Sequence, residues 1–215
     1  MIVLFFSSLL LKLANLIYIP DLQTNNSTIV SLFGFSADQD KARQIINNAT
    51  GVSCTFGPLA KPRVVFVIDV SGSMSTTFQF NGVSYSRLSF VQNELYDVIG
   101  TQLRPPLNFF NIEIFSSSYS FWAPGLQIAS PVNQKSAMNY ARGLVANGST
   151  QTGLALTGAW ADPLVQAIYL LSDGNPDDPQ GSFAAVQKLY ASRPIPVYTT
   201  ALAADAVSWD CLVSF

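Results

Sequence analysis

Two kinds of apolar run alternate along this chain, and their order sets the expected fold. Val64-Val65-Phe66-Val67-Ile68 is an unbroken, mostly β-branched stretch between Pro62 and Asp69-Val70-Ser71-Gly72. A strand without polar alternation is buried on both faces, as central strands of a parallel sheet are. Val165 to Leu171 is a second strongly apolar run. Between them, Leu88, Val91, Leu95 and Val98 recur at helical spacing behind Ser86, which can cap a helix, and the stripe ends at Gly100. Leu107 to Phe115 reads as a strand and Ser120-Phe121-Trp122 as a short one. Ser130-Pro131 supplies a cap and a first-turn proline to a helix reaching Leu144, patterned by Ala137, Tyr140 and Leu144. Asn147-Gly148-Ser149 is a turn and Thr152 to Trp160 a helix. Ser182 to Ser192 is an amphipathic helix with Phe183, Val186 and Leu189 inward, and Ile195 to Leu202 is a last strand.

Strands that alternate with helices predict an α/β fold: a doubly wound, mostly parallel sheet with helices on both faces. The two most apolar strands should form its centre. Ligands of such sheets bind beyond the carboxyl ends of the strands, where the strand order reverses. Both central strands end in an aspartate there, Asp69 after the first and Asp173 after the second.

Ahead of this pattern the chain is less regular. Residues 1–20 are a hydrophobic segment interrupted by Lys12 and Asn15; they read either as a secretory or anchoring segment or as a buried helix or strand. Residues 21–60 form a lead-in in which Ser36–Asn48 can make one short helix, 61–204 the domain, and 205–215 a tail. Membrane association through residues 1–19 stays open, and so does the choice between a secreted or anchored and an intracellular location.

Composition narrows the chemistry. Hydrophobic residues make up 49% of the 215 and charged ones only 11%, so a sizeable core is available. The net charge is −2 with no basic run, which argues against a nucleic-acid partner. The chain has no histidine, and this removes Ser-His-Asp hydrolysis, imidazole zinc sites and the commonest general base. Two cysteines make no thiolate zinc cluster; Cys54 and Cys211 either bridge the ends of the domain or stay as free thiols.

Asp69-Val70-Ser71-Gly72-Ser73 puts three oxygen side chains at alternate positions of one loop, with Gly72 expected to allow a tight turn. A hard cation such as Mg²⁺ takes six oxygens and commonly keeps waters among them. On its own such a loop is common, and an aspartate after a strand often only caps a helix. Two further segments accompany it: Asn147-Gly148-Ser149-Thr150-Gln151-Thr152-Gly153, and Leu171-Ser172-Asp173-Gly174.

Together the three segments resemble the von Willebrand factor type A domain, also known as the integrin I domain, over about Lys61 to Ala204. The resemblance implies a metal-ion-dependent adhesion site with Asp69, Ser71, Ser73, Thr150 and Asp173 as ligands, and a divalent cation, Mg²⁺ first and Mn²⁺ or Ca²⁺ after it. Thr152 matches a loop position that is not normally a ligand. Asp177 and Asp178 lie at the rim, as turn formers or as residues shaping ligand choice. The stretches Asn111 to Trp122 and Leu171 to Asp177 are similar to an intracellular branch of the family, the type A domain-containing protein 3 group. The family pattern continues into a further strand and a last helix, for which the residues after Ala204 leave no room; a C-terminally truncated domain without helix-driven switching is the expectation.

The implied function is a metal-dependent protein-binding or adhesion module, in which a partner's Asp or Glu completes the cation shell. A scaffold domain of a larger assembly with incidental metal is the alternative. No enzyme is expected, since neither of the two glutamates, Glu94 on a helix and Glu113 in a strand, reads as a tuned base.

Overall fold

The computed structural model describes residues 56–80, 83–174 and 176–202. The N-terminal apolar segment, the short helix expected over Ser36–Asn48, Cys54, Cys211 and the tail lie outside the described residues.

Strand β1 (Arg63–Asp69) leads through a single 3-10 turn, Gly72–Ser75, into a hairpin of β2 (Thr77–Phe80) and β3 (Val83–Ser86). Helix α1 (Arg87–Thr101) follows, then β4 (Phe109–Phe115), β5 (Tyr119–Phe121) and β6 (Gln127–Ile128). Helices α2 (Pro131–Arg142) and α3 (Thr152–Ala161), strand β7 (Ala167–Ser172), helix α4 (Pro179–Ser192) and strand β8 (Val197–Ala201) complete the order.

The main sheet runs β5-β4-β1-β7-β8, with β6 also paired to β4. β4, β1, β7 and β8 are parallel, while β5 and β6 are antiparallel additions. The expected doubly wound, mostly parallel sheet is therefore present. Its centre is the pair β1 and β7, the two most apolar strands, in a register that sets Ile68 opposite Leu171. Val64, Phe66 and Ile68 pack beneath α1 and α2, whereas Val65 and Val67 pack beneath α3 and α4, all five being buried. Both faces of β1 are thus covered, which is why its sequence shows no alternation.

The helix caps follow the sequence signals. Ser86 Oγ accepts from the Ser89 N–H and Ser130 Oγ from the Asn133 N–H. Leu88, Val91, Leu95 and Val98 are all buried. No helix among the described residues is long and apolar enough to cross a membrane.

Some expectations need correction. Leu107 is not in a strand: it follows Pro105-Pro106 in a turn, its N–H donating to Arg104 O, and is 70% exposed. Prolines offer no ladder donor, so pairing starts at Phe109. Phe183 does not point inward. Helix α4 begins earlier than expected, at Pro179 behind an Asp178 cap, and buries Ser182 and Val186. The reason is the close approach of α3: a Cβ on Gly153 would lie 2.8 Å from Ser182 Cα, leaving no space for a large ring there. The packed unit also takes in residues ahead of Lys61. Phe56 is buried edge-on against Phe66, and Tyr169 Oη accepts from the Ala60 N–H.

Candidate metal centre

The carboxyl ends of β1 and β7 lie side by side, and each delivers an aspartate to the same edge of the sheet. Asp69 is the last residue of β1 and is fully buried. Asp173 follows β7 directly, its side chain 1% exposed. The loop after β1 carries Ser71, also buried, and the exposed Ser73, whose hydroxyl oxygens are 3.1 Å apart. Met74 plugs this loop into the core under the 3-10 turn.

Thr150 comes from the loop between α2 and α3, and backbone bonds fasten that loop to the first one. The Gly72 N–H donates to Gly148 O at 3.0 Å and the Asn147 N–H to Val70 O at 2.7 Å. The loop after β7 is fastened in turn: the Thr150 N–H donates to Asp177 Oδ2 at 3.1 Å, and the Asp177 N–H to Thr150 O at 3.0 Å. The three segments read from the sequence are therefore joined into one surface. Gly72 opens the 3-10 turn, and left-handed backbone at this surface falls at Gly148, with φ +86°, and Gly174, with φ +85°. A Cβ on Gly148 would also meet Ser117 Oγ at 2.9 Å, so a side chain there would be strained and would have to displace that hydroxyl.

The hydrogen bonds assign each carboxylate a different role. Asp69 Oδ1 accepts from the Ser71 N–H at 2.8 Å and Oδ2 from the Ser172 hydroxyl at 2.6 Å, so both oxygens are held. Burial pushes the Asp69 carboxyl above its ordinary range despite these bonds, and nearby Asp173 adds to the rise. Asp173 Oδ2 accepts from Arg87 Nη1 at 2.7 Å. Asp173 Oδ1 is buried and has no partner. Asp177 and Asp178 both make structural bonds at the rim. Bonds from the Thr150 N–H, then from Ser149 and Gln151, hold the Asp177 carboxyl below its ordinary range, and Asp178 caps α4. Thr152 opens α3 with its hydroxyl buried and unpartnered.

Two groups at this site escaped the sequence reading. Ser172 is the last residue of β7, and its hydroxyl orients Asp69. Arg87 sits in the first turn of α1, and its guanidinium reaches Asp173 Oδ2 and Ser73 O. A cation at a helix N-terminus opposes the macrodipole, so an arginine directly behind a serine cap was the available signal.

The donor set fits a hard cation. No group of three or more His, Cys, Asp or Glu converges among the described residues, so any metal here would depend on hydroxyl oxygens beside two carboxylates. Arg87 bonds Asp173 at one oxygen, and the other stays unbonded beside the buried carboxylate of Asp69.

No protein-family model matches the chain. It is 31% identical to human von Willebrand factor A domain-containing protein 3B over 149 residues, covering 69% of the chain and 10% of that protein. It is 32% identical to human von Willebrand factor A domain-containing protein 3A over 148 residues, covering 68% and 12%. The chain thus spans about a tenth of the length of these relatives. In fold it is similar to a von Willebrand factor type A structure from Catenulispora acidiphila, with a TM-score of 0.51 and 19% identity over 67% of this chain and 34% of that one. It is likewise similar to the conserved hypothetical protein BatB from Bacteroides thetaiotaomicron, with a TM-score of 0.51 and 19% identity over 65% of each chain. With two relatives named for that domain, its doubly wound sheet and its three loops in order, the chain carries a von Willebrand factor type A domain.

Proposed function

We propose that this domain is a protein-binding module whose Asp69, Ser71, Ser73, Thr150 and Asp173 hold a divalent cation, Mg²⁺ before Mn²⁺ or Ca²⁺. The observation that carries the reading is Asp173 Oδ1, a buried carboxylate oxygen with no partner, next to a second buried carboxylate. Leaving such an atom unsatisfied costs about 1–3 kcal/mol or more for a charged group, and a cation removes that cost. Bound there, the metal would supply a Lewis-acidic position open to an Asp or Glu of a partner protein. Asp69, held by Ser71 and Ser172, contributes charge from a fixed position.

The proposed role is binding and not catalysis. Burial pushes the Glu113 carboxyl up to about 9, but the group is fully buried beneath Gly158 of α3, where no substrate reaches it. A pull-down with wild type and Asp69→Ala, each with and without EDTA, tests the reading. Partners captured by wild type and lost in EDTA and in the variant support it. The same captured set under all four conditions overturns it in favour of a scaffold domain.

A further inference from the structure

Arg87 is bonded in a way that a purely structural ion pair does not require. A guanidinium and a carboxylate reach their best geometry through two parallel bonds. Here only Nη1 engages, to Asp173 Oδ2 at 2.7 Å, with a second bond from the same nitrogen to Ser73 O at 3.2 Å. Arg87 Nε and Asp173 Oδ1 are both buried and both unpartnered. The pair is therefore held at one point, and its unused carboxylate oxygen belongs to the candidate cation site.

We propose that Arg87 is a resident second cation of this site, which sets its metal affinity and its preference for an anionic partner. The inference rests on the metal-site reading given above. Arg87 holds one oxygen of Asp173 and leaves the other free, so guanidinium and metal occupy the site together. With both aspartates ionised, Arg87 lowers the net charge of the metal-free site from two negative charges to one. This weakens its hold on a divalent ion. With the ion bound, the same charge leaves the site one unit positive, and an incoming carboxylate meets an attractive field. Because Arg87 is mostly buried, with 11% of its side chain exposed, solvent screens this field incompletely.

The test is calorimetric titration of the full chain with Mn²⁺, using wild type, Arg87→Gln and Arg87→Lys. Arg87→Gln should bind Mn²⁺ about tenfold tighter, the scale on which a nearby unit charge acts on a partly buried ion. Arg87→Lys, which keeps the charge, should stay near wild type. At saturating Mn²⁺, a synthetic decaglutamate peptide should bind Arg87→Gln at least about fivefold more weakly than wild type. Equal or weaker Mn²⁺ affinity in Arg87→Gln would reduce Arg87 to a positioning residue and overturn the proposal, as would equal peptide binding. Absence of Mn²⁺ binding in all three proteins overturns the metal-site reading itself, and this proposal with it.

Discussion

Replacing Glu113 by glutamine should flatten the pH dependence of stability across the neutral range. Glu113 lies on β4 opposite Phe121, fully buried, with neither carboxylate oxygen partnered. A Cβ on Gly158 would stand 2.9 Å from Glu113 Oε1, so α3 presses directly on the group. Burial pushes the carboxyl from 4.5 up to about 9. Since the folded value lies above the unfolded one, the folded protein keeps a proton that the unfolded chain releases. The resulting stability is full below about pH 4.5 and is lost as pH rises toward 9. Inside that window the loss approaches about 1.4 kcal/mol per pH unit. From pH 5.5 to 7.5 it amounts to about 2.7 kcal/mol, a large share of the roughly 5–15 kcal/mol that holds a domain together. Glutamine has nearly the same shape and cannot ionise. Urea unfolding of both proteins at half-unit steps from pH 5 to 8 gives a difference curve in which other titrating groups largely cancel. Glu113→Gln should match wild type to within about 1 kcal/mol near pH 5 and exceed it increasingly above pH 6. Parallel curves would refute the reasoning, because they would mean that Glu113 ionises in the fold without penalty.

Other expectations concern the site and its supports. Mg²⁺ at about 100 times its dissociation constant should add about 2.7 kcal/mol to the stability of wild type, raising the melting temperature by several degrees in thermal-shift measurements. Asp173→Ala should lose that shift; an undiminished shift would place the ion elsewhere. Ser172→Ala removes the hydroxyl bonded to buried Asp69 and should lower stability by about 1–3 kcal/mol, read from the urea midpoint. Gly153→Ala puts a methyl 2.8 Å from Ser182 Cα, a backbone atom that cannot swing aside, and should cost about 1–3 kcal/mol through separation of α3 from α4.

Much of this architecture is legible in the chain because the period of burial is a local property. The run Val64–Ile68 reads as a central strand because both of its faces are covered, and Ser86 and Ser130 announce helices through bonds to residues only three positions away. The site loops are legible for a related reason: residues at the ends of central strands share one edge of the sheet, so Asp69 and Asp173 converge once the strand pattern is right. Distances between helices and across loops are not local. Nothing in the spacing of α4 shows that Gly153 bars a large side chain, so Phe183 looks inward-facing until the two helices are packed. The partners of the two aspartates are decided in the same way. Ser172 meets Asp69 across 103 positions of chain and Arg87 meets Asp173 across 86. The sequence alone determined which oxygens gather at the sheet edge. The tertiary structure decided which of them are already bonded, and left Asp173 Oδ1 as the buried carboxylate oxygen still open at that edge.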